Sequence, residues 1–226
     1  MNLQKIEIKK LSSTFNDYIT EKTCEVFSTL LKEPIQHKLT ILENNVNVRN
    51  ICLTSKQIKL HSVRLNGKGD IHIELLYTLR LEDAMKIASK LLGSEVNMID
   101  EMGESALQEV ANILTGSFFN ALSKDTGFRI DLSTPTFKEG ELEELLSEPT
   151  NDVNSNSEDI VIADVLLTGK NSKTEIHMII IQHPEHAKKL ISHDSKDIEE
   201  NKYSDKSNTN LLGGQNDAID DLLKNL

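Results

Sequence analysis

Between Leu11 and Leu31 the apolar residues Phe15, Tyr18, Ile19, Cys24, Val26, Phe27, Leu30 and Leu31 recur at helical spacing. Glu33-Pro34 closes that run, because a residue preceding proline is pushed out of the helical region. Short alternating or β-branched runs follow at Lys38–Leu42, Val46–Thr54, Gln57–Leu65 and Asp70–Leu79. The last two are separated by Asn66-Gly67-Lys68-Gly69, which predicts a hairpin turn. Leu81–Leu92 is amphipathic, with Ala84, Ile87, Ala88, Leu91 and Leu92 on one face and Gly93 as its C-cap.

The order then recurs. A long helix is predicted from about Met98 to Lys124, stopping near Gly127. Strands follow at Phe128–Ser133, Asp159–Leu167 and Thr174–Gln182, and a short helix begins around Pro184. A shift of 95 residues places Val26-Phe27-Ser28-Thr29 on Ala121-Leu122-Ser123-Lys124 and Ile35 on Ile130. The expected fold is an α/β (α+β) domain over residues 1–193, with hairpin-like connections and therefore a largely antiparallel sheet. Two copies of a helix–strands–helix unit, about 11–93 and 98–192, would generate it. Many α+β chains can be cut into similar halves, so the pattern alone leaves duplication and chance likeness both open.

Two stretches lack periodicity. Pro149–Ser157 is Asn/Ser-rich and is expected to be a loop between strands. Residues 194–210 offer almost nothing apolar to pack and are expected to form an acidic linker. Residues 211–226 turn apolar–acidic again, as LLGGQNDAIDDLLKNL.

Composition narrows the possibilities. The 226 residues carry a net charge of −11, which disfavours non-specific nucleic-acid binding. That charge is localised. Residues 139–159 hold eight acids and no base, and residues 194–226 hold eight acids against four lysines, leaving the remainder at +1. No apolar run approaches the ~18–20 residues of a membrane span and no charged-then-apolar leader opens the chain, so neither membrane nor export is expected. Cys24 and Cys52 match no metal or redox spacing, so a reduced, cytoplasmic setting is expected. His183-x-x-His186 lacks a third spaced ligand and is expected to be a surface feature rather than a metal site.

Chemistry concentrates on the long helix. Ser105, Glu109 and Asn112, at i, i+4 and i+7, fall within a sector of about 60°. Leu107, Val110, Ala111, Leu114, Phe118, Ala121 and Leu122 form the opposite, core-facing side. Gly116, Phe119 and Ser123 share the polar side, and Gly116 and Phe119 are expected to belong to a contact surface. Glu and Asn on a solvent-facing side are also ordinary.

The pattern S-x3-E-x2-N-x22-P, met by Ser105, Glu109, Asn112 and Pro135, resembles the signature of the CheC/CheX/FliY family of chemotaxis phosphatases. SALQEVANILTGSFFNALSKDTG and AMKIASKLLG resemble the matching helices of CheC-type proteins. The resemblance covers about residues 11–190 and implies a duplicated fold with the active-site helix on its surface. It also implies hydrolysis of the aspartyl phosphate of the response regulator CheY. Asn112 would orient the attacking water, Glu109 would pair with a cation of the regulator, and Ser105 and Pro135 would support the site. No cofactor of its own is implied, since Mg²⁺ comes with the regulator. The shift of 95 carries the motif to Lys10, Thr14, Asp17 and Thr40, so the first site is expected to be degenerate at Thr14 and Asp17.

Ile219, Leu222, Leu223 and Leu226 make one apolar face of a short helix, expected to fold either onto its own domain or into a partner's groove. Ile219, Asp220, Leu222 and Leu223 resemble the core of the CheY-binding peptide of FliM, with Ala218 in place of its Glu and a C-terminal placement. The rival expectation is a non-catalytic adaptor binding CheY, CheD, or both, CheD being a partner of CheC-like proteins.

Overall fold

Seven strands form one sheet in the order β1-β6-β7-β3-β2-β4, with β5 also pairing β2, and every pair is antiparallel. They are β1 (Ile35–Leu42), β2 (Leu60–Gly69), β3 (His72–Leu79), β4 (Ile130–Leu132), β5 (Thr136–Gly140), β6 (Val161–Gly169) and β7 (Glu175–Gln182). Among the described residues six α-helices accompany them: α1 (Lys5–Tyr18), α2 (Cys24–Leu31), α3 (Leu81–Leu92), α4 (Glu101–Thr126), α5 (Leu142–Val153) and α6 (Pro184–Ser192). The computed structural model describes residues 3–42, 58–153 and 160–193. The expected strand Val46–Thr54, the linker 194–210 and the segment 211–226 lie outside the described residues.

The sheet order reads the same from either end. Hairpin β2–β3 followed by α3 has its counterpart in hairpin β6–β7 followed by α6, and β3 meets β7 at the centre. Each half lends its outer strand to the other, since β1 pairs β6 while β5 pairs β2. This is the arrangement a repeated helix–strands–helix unit would give.

The central strands are buried on both faces and so carry near-continuous apolar runs. Leu75, Tyr77, Met178 and Ile180 point into the main core with α1, α2, α3, α4 and α6. Leu76, Ile179 and Ile181 point the other way, beneath Leu145, Leu146 and Val153 of α5.

Three expectations change here. The first helix starts earlier, at Lys5, and is interrupted by a π-turn at Ile19–Thr23. The hairpin turn falls on Asp70-Ile71, with Lys68 opposite His72, because β2 continues through Asn66–Gly69 to pair with β4. The acidic stretch is no loop as far as Val153. It forms the end of β5 and then α5, which contains Pro149.

The reason is electrostatic as well as apolar. Glu74 is fully buried on β3, and Arg64 Nε of β2 donates to it at 2.9 Å. The same guanidinium reaches Glu148 at 2.8 Å and Asp152, both on α5. Lys138 pairs with Glu148, and Lys59 with Glu139, which also meets His61 Nδ1 at 3.0 Å. Three acids of that stretch, Glu139, Glu148 and Asp152, therefore pair with cations on or next to the sheet, and the last two help hold α5 against it. Arg64→Ala would leave the buried Glu74 carboxylate with only the His72 ring, 2.7 Å away, beside it and should cost about 3 kcal/mol in chemical denaturation. Lys59→Ala, at an exposed pair, should cost under about 1 kcal/mol.

Candidate active site

Helix α4 is about 39 Å long and is well specified at both ends. Asp100 caps it by accepting from the N–H groups of Met102 (3.2 Å) and Gly103 (3.0 Å), and Glu101 and Glu104 favour its positive end. Gly127 ends it at φ 72, a left-handed conformation that glycine adopts without strain.

The helix is mostly interior rather than laid on the surface. Ala106, Leu107, Val110, Ala111, Leu114, Phe118 and Leu122 are buried. Ser105 and Asn112 are exposed and Glu109 is half-buried, on one side of the first half of the helix. Further along, the same side runs under β4 and the end of β2. Gly116 is buried there, and Phe119 is 3% exposed, so neither belongs to a contact surface. The Phe119 ring lies over Gly67 of β2. A Cβ on Gly67 would stand 2.7 Å from Phe119 Cζ and 2.5 Å from Ile130 Cγ2.

Ser105 Oγ donates to the carbonyl of Glu101 at 2.8 Å, within its own helix. Pro135, between β4 and β5, is brought to the helix through Gln108, whose Nε2 donates to the Pro135 carbonyl at 3.1 Å. The same loop is held from below by Ser133 and Asn66. Ser133 N–H donates to the Asn66 carbonyl and Asn66 N–H to Ser133 Oγ, each at 2.9 Å. Sequence reasoning missed Gln108, because a glutamine beside a motif residue carries no signal of its own. Among the described residues, neither the Glu109 nor the Asn112 side chain makes a hydrogen bond or ion pair. One carboxylate and one carboxamide, a turn apart on an anchored helix, are thus left open to an outside partner.

The π-turn alters the comparison of the two halves. The C-caps Lys32 (φ 56) and Gly127 are 95 residues apart, but the N-caps Gln4 and Asp100 are 96 apart. One extra residue sits in the wider turn. Before that turn the offset is 96, so Lys9, Ser13 and Asn16, rather than Lys10, Thr14 and Asp17, are the positions equivalent to Ser105, Glu109 and Asn112. Asn16 is engaged within the molecule, with its Oδ1 2.7 Å from His37 Nε2. Cys24 lies beside the same ring, and burial pushes its thiol up to about 11.

The two histidines near Pro184 serve local structure. His183 is the N-cap of α6, and His186 Nδ1 accepts from the His72 N–H at 2.9 Å. Among the described residues no helix is long and apolar enough to cross a membrane.

This motif helix on this interleaved sheet resembles the arrangement of CheC-like proteins. Residues 102–139 match the sequence model of the CheC-like family. The chain is 33% identical over 73 residues to a Thermotoga maritima protein named CheY-P phosphatase CheX, spanning 32% of this chain and 46% of that one. It is 24% identical over 131 residues to a Bacillus subtilis protein named CheY-P phosphatase CheC, spanning 55% and 63%. The matches thus cover roughly half to just under two thirds of these relatives. The crystal structure of Thermotoga maritima FliY is similar in fold, with a TM-score of 0.67 at 18% identity over 85% of this chain and 98% of that one. In the motif segment and in fold the chain is thus similar to the CheC/CheX/FliY proteins.

The seating of the helix can be tested directly. Gly67→Ala should lower stability by about 1–3 kcal/mol in a thermal melt, because Phe119 and Ile130 must move. Gln108→Ala, at the part-buried loop tether, should cost less than Gly67→Ala in the same melt.

Proposed function

We propose that the protein is a phosphatase for the aspartyl phosphate of the response regulator CheY. The observation that carries this reading is the open pair Glu109 and Asn112 on a helix fixed at both ends. The named activity of the CheX and CheC relatives supports it.

The chemistry asks little of this chain. An acyl phosphate passes through a loose transition state, and the regulator's own Mg²⁺ neutralises the phosphoryl oxygens, so catalysis here is mainly positioning. The Asn112 carboxamide can accept from a water through its oxygen and donate to a phosphoryl oxygen through its nitrogen. Glu109 pairs with a cation of the regulator and sets the register. The Gln108–Pro135 tether holds the neighbouring loop while the partner docks.

Residues 211–226 act in this reading as a regulator-binding tether, with Ile219, Leu222 and Leu223 as the apolar face and Asp220 between them. A linker of about 17 residues would hold the regulator at roughly millimolar effective concentration.

Transfer assays from phosphorylated CheY test both parts. Asn112→Ala should slow dephosphorylation by at least about a hundredfold, and an unchanged rate overturns the assignment in favour of an adaptor. Thr14→Ala and Asp17→Ala should leave the rate close to wild type. Removing 211–226 should raise KM severalfold with kcat nearly intact, whereas loss of kcat at constant KM contradicts a tether.

A further inference from the structure

Met98 and Met102 are 67% and 64% exposed, among the most exposed large apolar side chains of the described residues. Their positions are not arbitrary. Met102 lies in the first turn of α4, seven residues before Glu109, and so about 20° from it around the helix axis. Met102, Ser105, Glu109 and Asn112 make one stripe about 15 Å long. Met98 stands two residues before the N-cap Asp100.

The backbone that carries both methionines is anchored. Val96 N–H donates to Ser89 Oγ of α3 at 2.9 Å, Ile99 packs against the main core, and Asp100 caps the helix. Along the chain on either side of them the charge has one sign. From residue 91 to 123 there are five acids (Glu95, Asp100, Glu101, Glu104 and Glu109) and no lysine or arginine. An apolar pair within an acidic rim fits a protein surface with an exposed apolar side chain flanked by basic ones.

We propose that Met98 and Met102 are the apolar anchor on which the phosphorylated regulator docks, with Glu95, Glu101 and Glu104 selecting its basic flank. This rests on the function proposed above. A protein contact of ordinary size covers about 800 Å² per partner, close to 30 Å across. A partner whose phosphoryl group reaches Asn112 therefore also covers Met102. Methionine suits the position, because its flexible thioether adapts to the facing surface.

Binding separates this proposal from the catalytic one. The full-length Asn112→Ala protein is titrated with CheY carrying beryllofluoride and Mg²⁺ in place of the phosphoryl group. Adding Met98→Ala and Met102→Ala should weaken the complex about tenfold, while Met98→Leu with Met102→Leu should stay within about twofold. Both positions are exposed, so unchanged thermal melts should accompany the loss. In the Asn112 background the alanine pair should raise KM and spare kcat. Unchanged affinity with alanine at both positions overturns the docking proposal while leaving the phosphatase reading intact. Failure of the Asn112→Ala protein to bind, together with no hydrolysis by the wild type, overturns both. A parent dimer that the alanine pair dissociates makes the patch a self-interface and also overturns it.

Discussion

The close approach of α4 to the sheet sets the rest of the structure. Phe119 can lie over β2 only because Gly67 has no side chain, and Ile130 fills the space beside it. That contact fixes how far the helix sinks and how it is rotated. The C-terminal part of its polar side is thereby sealed under β4, and the N-terminal part is left facing water. Glu109 and Asn112 owe their exposure to a glycine on a strand more than 40 positions earlier. A helix seated an ångström higher would carry the same motif but present it differently.

The opposite face of the sheet follows another logic. Among the described residues it is covered by α5, which seats Leu145, Leu146 and Val153 on the sheet and adds ion pairs converging on Arg64. A charge fully removed from water needs its partner in place, and Glu74 has it. The two faces therefore divide the labour: the helix-covered core supplies cohesion and a fixed site, and the acidic clamp closes the back.

The helices other than α5, and the hairpin strands, could be read from the sequence because each has a clean period, with a proline or glycine stop after α2, α3 and α4. Leu81–Leu92 with Gly93, and the halt at Gly127, were specified locally. What escaped depended on contacts distant in sequence. Thr136–Gly140 is polar and acidic, and becomes a strand only because β2 is there to pair with it. Asn66–Gly69 looks like a turn in isolation but is drawn into β2 by β4. The same holds at the site. Ser105, Glu109, Asn112 and Pro135 were visible as a spacing, whereas the burial of Gly116 and Phe119 depends on which strand crosses the helix. The π-turn left no mark on the hydrophobic pattern, so a constant shift between the halves was the natural but incorrect choice.

The interleaving of the halves has a consequence for how the chain is made. β1 is the first strand, yet its partner is β6, with Ile35 opposite Gly169. Loop closure over so long a separation is slow, and such distant pairing raises the folding barrier. During synthesis β1 must wait, edge exposed, until the chain has been made as far as Gly169. Neither half can then be a folding unit on its own, and the protein should acquire its structure late and all at once.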